Sequence, residues 1–429
     1  MRKISLVVLV LLVACLLFYL QFAQKKETII AAGASNPGRI FLYQYANGNY
    51  TKTTLYTDTN LIYTVRVGDI YNDGKGAVVA GVGNDISANP LDCKIISYEF
   101  NGYWKKSVID DIQDLRCKDI TIGDAYTAGK NSIVLVTHGL GQVITYTWNG
   151  TGFDKQTVDS NYIARIDQAR GLNHIFTNAA CYPNCTIQTA VHIVKIADVD
   201  GDGKNEIVAT ESTPIDLPAN VKDITFIIMY KWDGRSWTSS VVDEDSNIRY
   251  PGLAIGNIYN NATVSLVRGT GGDYVNALVY TFTYNGKTWQ KTLIDNQTYH
   301  GNKGVDVGDV YNNGTKSILV GTGVPGYVNI YTWNEKNFVK QTIDNINDHL
   351  PPKLQSYVMA SEISDVDNDG KNEIVVGGYS YDPTTTAIAS WTKTSTGFLM
   401  VYKWNDTSWE KTFVDNSSIL GMGTGKIST

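Results

Sequence analysis

Ile228-Met229-Tyr230-Lys231-Trp232-Asp233-Gly234-Arg235-Ser236-Trp237 runs from an aromatic strand through an Asp-Gly turn into a second strand that ends at Val242-Asp243. Met400-Val401-Tyr402-Lys403-Trp404-Asn405-Asp406-Thr407-Ser408-Trp409, closing at Val414-Asp415, repeats the pattern. The same cadence closes at Asp58, Asp110, Asp159, Asp295 and Asp344, which makes seven copies. A period of about fifty residues marks a propeller or an array, because each unit buries its apolar faces only against its neighbours.

Upstream of each hairpin lie a short apolar strand, a polar Gly/Asp loop and another apolar strand. The copies include Val65-Arg66-Val67-Gly68-Asp69, Ile120-Thr121-Ile122-Gly123-Asp124, Ile193-Val194-Lys195-Ile196-Ala197-Asp198 and Leu253-Ala254-Ile255-Gly256-Asn257. Val305-Asp306-Val307-Gly308-Asp309 and Glu362-Ile363-Ser364-Asp365 complete the set. Two strands plus a hairpin make one four-stranded blade. The first hairpin has only one strand before it, Ile29 to Gly33, while Ile419 to Thr424 stands where an eighth repeat would begin. A C-terminal strand completing the N-terminal blade would remove the exposed edge of an open stack. The predicted fold is therefore all-β: a seven-bladed β-propeller over residues 27–429, closed by the C-terminal strand and preceded by one hydrophobic helix.

Composition agrees, with 27 Tyr, 9 Trp, 39 Gly and only 18% charged residues. Aromatic residues suit half-buried pleated surfaces and Gly suits tight turns. A net charge of −6 offers no basic footprint for nucleic acid. Residues 1–26 form a separate segment: Met1-Arg2-Lys3, an apolar run from Ile4 to Ala23, then Gln24-Lys25-Lys26. The run just covers a hydrocarbon core, and the leading basic residues favour holding that end in the cytoplasm. An uncleaved anchor is favoured over a signal peptide cleaved near Ala23, with acylation at Cys15 third. All three readings export the rest of the chain, onto the extracellular face of the membrane if the anchor is kept and into the medium if the leader is cleaved. Four further cysteines, Cys93, Cys117, Cys181 and Cys185, suit an oxidising compartment and two disulfides. Sequons begin at Asn49, Asn149, Asn184, Asn261, Asn296, Asn313, Asn405 and Asn416 and agree with a surface glycoprotein.

Blade topology sorts the loops onto two rims. Asp-rich loops and hairpin turns share one. The other carries the long insertions Gly83–Asp92, Tyr162–Gln188, Ser212–Lys222, Leu350–Tyr357 and Ser380–Thr396. A Cys93–Cys117 link would tie neighbouring loops there, and Cys181–Cys185 would close a small loop, with other pairings left open. Binding is expected on that insertion-bearing face.

Two of the six Asp loops carry a full carboxylate series, Asp198-Val199-Asp200-Gly201-Asp202-Gly203-Lys204-Asn205-Glu206 and Asp365-Val366-Asp367-Asn368-Asp369-Gly370-Lys371-Asn372-Glu373. Alternate oxygen ligands, a sharp turn at Gly and a backbone carbonyl at the seventh position can wrap Ca2+. Asp198, Asp200, Asp202 and Glu206 would supply carboxylates and Lys204 its carbonyl; Asp365, Asp367, Asp369, Glu373 and the Lys371 carbonyl would form the second site. The loops start like an EF-hand, but Ala209 and Val376 hold the twelfth positions and a strand follows.

These two loops resemble the calcium loops of FG-GAP/VCBS repeats, the family that includes the integrin alpha-chain propeller. The resemblance covers nearly the whole exported region. It implies two structural calcium ions bracing one rim and ligands engaging the opposite face. In the other four loops Tyr71, Tyr126, Tyr259 and Tyr311 replace the third-position carboxylate, and Ala77, Ser132, Ser265 and Ser317 the ninth. Calcium is not expected there; the tyrosine is expected to pack on the neighbouring blade.

No catalytic residue is assigned. His138, His174, His192, His300 and His349 share no metal-ligand spacing, and no Gly-x-Ser-x-Gly elbow, His-Glu-x-x-His or phosphate loop occurs. The recurrent hairpin Trp and Tyr read as inter-blade core. The expected function is a membrane-anchored, calcium-binding adhesion module for a protein or glycan, not an enzyme. The alternatives are an exported polysaccharide lyase or hydrolase, for which acids, His and Arg clustered in the central depression would speak, and a structural surface-layer component.

Overall fold

The computed structural model describes residues 26–35, 37–84, 92–139, 141–160, 189–212, 224–246, 252–271, 276–384 and 396–428. The expected N-terminal helix, His174, Cys181, Cys185, the Tyr162–Gln188 insertion and the middles of three others lie outside them.

Among the described residues, twenty-eight strands form seven four-stranded antiparallel blades. In blade 1 the C-terminal strand Ile419–Ser428 is innermost and pairs with Lys26–Ala34 from Lys26↔Ser428 to Ala34↔Ile419. Gly38–Ala46 and Asn49–Asp58 complete that blade. Blades 2 to 7 occupy 61–113, 116–159, 189–246, 252–300, 302–345 and 355–417. The predicted closure by the C-terminal strand is observed.

Burial peaks on the second strand of a blade and falls outward from there. The second strand of blade 2, Ala77–Gly83, is buried at every position, whereas the outermost strand of blade 1, Asn49–Asp58, is exposed or half-buried throughout. Disulfide Cys93–Cys117 joins the third strand of blade 2 to the first strand of blade 3.

The terminal Asp of each repeat is placed at a seam. Asp110 accepts hydrogen bonds from the Tyr146 hydroxyl (2.8 Å) and Lys155 Nζ (2.7 Å) of the next blade. Asp295 takes Tyr331 (2.6 Å) and Lys340 (2.9 Å), and Asp344 takes Tyr402 and Lys411, both at 2.8 Å. Asp159 takes Tyr230 at 2.8 Å, and Asp415 pairs with Lys52 at 2.6 Å across the closure. Two seams differ. Phe282 stands where the tyrosine would be in blade 5, and Asp243 and Asp245 instead ion-pair with fully buried Arg268 at 2.8 and 3.1 Å. Asp58 accepts from its own neighbour Tyr56.

Burial alone would raise the Asp344 carboxyl, but hydrogen bonds from Lys411 and Tyr402 outweigh it and hold the pKa below the usual carboxylate value. Its contribution is complete above the unfolded pKa of about 3.9 and is lost as pH falls through the lower folded value. Asp344→Asn keeps the shape and removes the charge. It should cost about 1–3 kcal/mol in urea unfolding at neutral pH, and the deficit relative to wild type should shrink on acidification.

Candidate metal loops and central channel

Both full Asp loops are built by their own backbone. Asp198 accepts from the N–H groups of Gly201 (2.8 Å) and Gly203 (2.9 Å), and Asp365 from that of Gly370 (3.2 Å). The fourth position has positive φ, 76° at Gly201 and 62° at Asn368, which turns the loop back on itself. Asp198, Asp200 and Glu206 bring carboxylate oxygens within 4.8 Å of one another, as do Asp365, Asp367 and Glu373, and each triad could hold a metal ion. Glu206 Oε2 accepts from Val199 N and Glu373 Oε2 from Val366 N, each at 3.0 Å, while both Oε1 atoms are buried without a hydrogen bond among the described residues. Burial, reinforced by Asp200 and Asp367, pushes both glutamates up to about 7. An oxygen set that is buried, incompletely bonded and costly to ionise fits a hard cation.

The fifth-position carboxylates are not part of the triads. Lys231, from the third strand of blade 4, reaches Asp200 at 2.5 Å, Asp202 at 2.7 Å and Glu206 at 3.6 Å. Lys403 pairs in the same way with Asp367, Asp369 (2.7 Å) and Glu373 (3.7 Å). Asp202 and Asp369 are thereby turned to an ammonium. Lys204 and Lys371 are exposed, and their N–H groups donate to Asp202 and Asp369 at 2.9 and 2.8 Å.

Each lysine and its ninth-position Glu lie one step beyond the ladder pairs Ile207↔Tyr230 and Ile374↔Tyr402. In blades 3, 5 and 6 the same cross-strand pair is Ser132–Thr147, Ser265–Thr283 and Ser317–Thr332, hydroxyl to hydroxyl at 2.6, 2.7 and 2.8 Å. The loop tyrosines pack as expected on the hairpin of the following blade. Tyr71 meets Trp148, Tyr126 Trp232, Tyr259 Trp333 and Tyr311 Trp404, all edge-on at 5.0–5.2 Å.

The innermost strands surround a cavity of about 90 Å³. In six blades the ladder between first and second strands slips by one residue at the same place. The extra residues, Leu420, Tyr63, Lys118, His192, Lys303 and Met359, all line the cavity. A bulge re-aims a side chain, and here it does so around a ring. Towards the Asp-loop rim the channel also carries Arg66, Lys195 and Glu362. Arg66 pairs with Asp119 at 2.8 Å. Burial, and then Asp306, push Glu362 up to about 7; Asp306 is itself raised by burial.

His138 and His192, which sequence spacing did not bring together, lie edge to face at 5.1 Å because the second strand of blade 3 pairs with the start of blade 4. Burial and then nearby cations, Arg116 first for His138 and Lys118 first for His192, hold both well below the usual histidine range. Burial, followed by Arg116 and Lys303, lowers Lys118 as well. His349 instead donates to Asp344 at 2.8 Å. The channel charges could have been found by aligning the repeats. Arg66, Lys195, Asp306 and Glu362 hold one register position of an otherwise apolar strand.

This closed ring is a seven-bladed β-propeller. No protein-family model and no curated protein matches the sequence. Among solved structures, one similar chain is an Agrocybe aegerita lectin described for its specific recognition of non-reducing terminal N-acetylglucosamine: TM-score 0.53, 12% identity, 94% of this chain and 96% of that one covered. Another is a Bacteroides fragilis protein described as a candidate 6-phosphogluconolactonase: TM-score 0.52, 12% identity, 93% and 98% covered. At such identity the likeness is one of fold.

Removing the lysine isolates its role. Lys231→Met leaves three gathered carboxylates without their ammonium. In chelator it should lower stability by about 1–3 kcal/mol, below the loss typical of a fully buried pair because the lysine stays partly solvated. Thermal melts of both proteins in chelator check this.

Proposed function

We propose that this chain is an exported, membrane-anchored propeller of FG-GAP/VCBS type that binds a glycan through its insertion-bearing end. The observation that carries the reading is the ring of bulged side chains at that end, which sets Tyr63 and His192 beside lysines and the Ser361 hydroxyl around one small cavity. Sugar sites combine apolar rings with a few convergent polar groups. The lectin likeness supports this through the fold. Export rests on the leader sequence, and the disulfide Cys93–Cys117 agrees with an oxidising compartment.

Two calcium ions complete the proposal, held by Asp198, Asp200 and Glu206 and by Asp365, Asp367 and Glu373, with Asp202, Asp369 and the Lys204 and Lys371 carbonyls joining when the lysines swing away. Bound calcium would supply positive charge to buried carboxylates and brace the hairpin rim. The lysines hold the same oxygens when metal is scarce.

A second reading, a polysaccharide-active enzyme, is favoured by Glu362 with its pKa near 7 beside Asp306, with Arg66 and Lys195 close by. Two neighbouring carboxyls, both raised by burial and set beside cations, are the kind of perturbed groups that acid–base sites use. Product release that is lost in Glu362→Gln while binding survives would favour it.

The test is a glycan screen on the propeller, with melts in calcium and in chelator. Binding that disappears when the channel residue Tyr63 becomes Ala, together with a higher melting temperature in calcium, is expected. Unchanged melting would remove calcium, because a ligand of the native state alone must stabilise it. Binding at another face would remove the site.

A further inference from the structure

The channel is rich in charge. Arg66 is paired with Asp119, and Lys118 and Lys195 line the cavity with Glu362, while Asp306 holds the same register position as Lys195 and Glu362.

Neither Lys118 nor Lys195 has a hydrogen-bond or ion-pair partner among the described residues. Behind Lys118, Arg116 is only 1% exposed, and its Nε has no partner among the described residues. Its Nη2 donates to His138 Nδ1 at 2.7 Å, which puts the proton of the neutral imidazole on Nε2. That Nε2–H, on a side chain only 4% exposed, is unmet as well. Arg116 and His138 do not line the cavity, so the unpaired cationic donors that the channel itself offers are, among the described residues, the two lysines. Disulfide Cys93–Cys117 fixes the backbone next to the bulge from which Lys118 enters the channel.

We propose that the central channel binds an oxyanion, a carboxylate or sulfate group carried by a saccharide. The cavity accepts one charged substituent and not a whole oligosaccharide, so the rest of the sugar would lie against the bulged ring. The saccharide part rests on the glycan-binding reading above; the anion part stands on the channel alone.

Calorimetry on the propeller, residues 26–429, tests this with four probes: methyl glucuronoside, a sulfated monosaccharide, methyl glucoside and sodium sulfate. At least one charged sugar should bind, the neutral glucoside at least about tenfold more weakly, and added salt should weaken the charged ligand. Whichever charged sugar binds identifies the oxyanion. Lys118→Met and Lys195→Met should each reduce that binding about tenfold or more without lowering the melting temperature. If Lys118→Met does not fold, Lys195→Met decides. Sulfate binding without any sugar binding upholds the anion site and overturns the glycan reading. Equal binding of charged and neutral sugars, or binding indifferent to both lysines, overturns the anion site and leaves the glycan reading standing. No binding by any probe overturns both.

Discussion

Closure of the ring by Ile419–Ser428 against Lys26–Ala34 is the constraint on which the rest depends. A blade has two apolar faces and no core of its own, so each must be covered by a neighbour. Closure covers the last face and sets seven first strands around one axis. The channel exists only as a consequence, because its lining comes from residues as far apart as Tyr63 and Met422. The Asp–Tyr–Lys contacts act at the next level out, pinning the outer half of one blade to the following one where apolar packing thins. The Arg268 seam between blades 4 and 5 meets the same need with a different residue set.

The Asp loops show how one backbone accommodates two chemistries. In each of the six blades with an Asp loop, a polar cross-strand pair or, at Ala77, a small apolar residue stands where the loop returns to the second strand. Blades 3, 5 and 6 use two hydroxyls, and a loop tyrosine fills the seam to the next hairpin. Blades 4 and 7 use Glu and Lys, with carboxylates in place of the tyrosine. The substitutions at the third, ninth and hairpin positions are therefore one coupled choice. A carboxylate triad without a cation would be unstable, and the lysine supplies one from within the chain.

Much of this was legible beforehand. The hairpin cadence gave seven blades, and the broken first repeat gave the closing strand. The Tyr substitutions gave the seam packing, and Cys93 with Cys117 gave one possible disulfide. Lys231 and Lys403 were visible in the quoted hairpins, but their partners are set by ladder register, which spacing along one strand does not reveal. The channel was harder. A bulge leaves no mark in a period-two pattern, so Lys118 and Lys303 read as ordinary strand residues. His138 and His192 belong to different blades and meet through a bridge between two sheets. Arg66, Lys195 and Glu362 were on view in the repeat copies, and their meaning depended on knowing that the first strand is innermost.

The most direct measurement is anomalous diffraction from crystals of residues 26–429 exposed to a low concentration of bromide. A bromide peak between Lys118 and Lys195, stronger than at any exposed surface lysine, is the predicted result. Bromide at surface lysines with none in the channel would contradict the account.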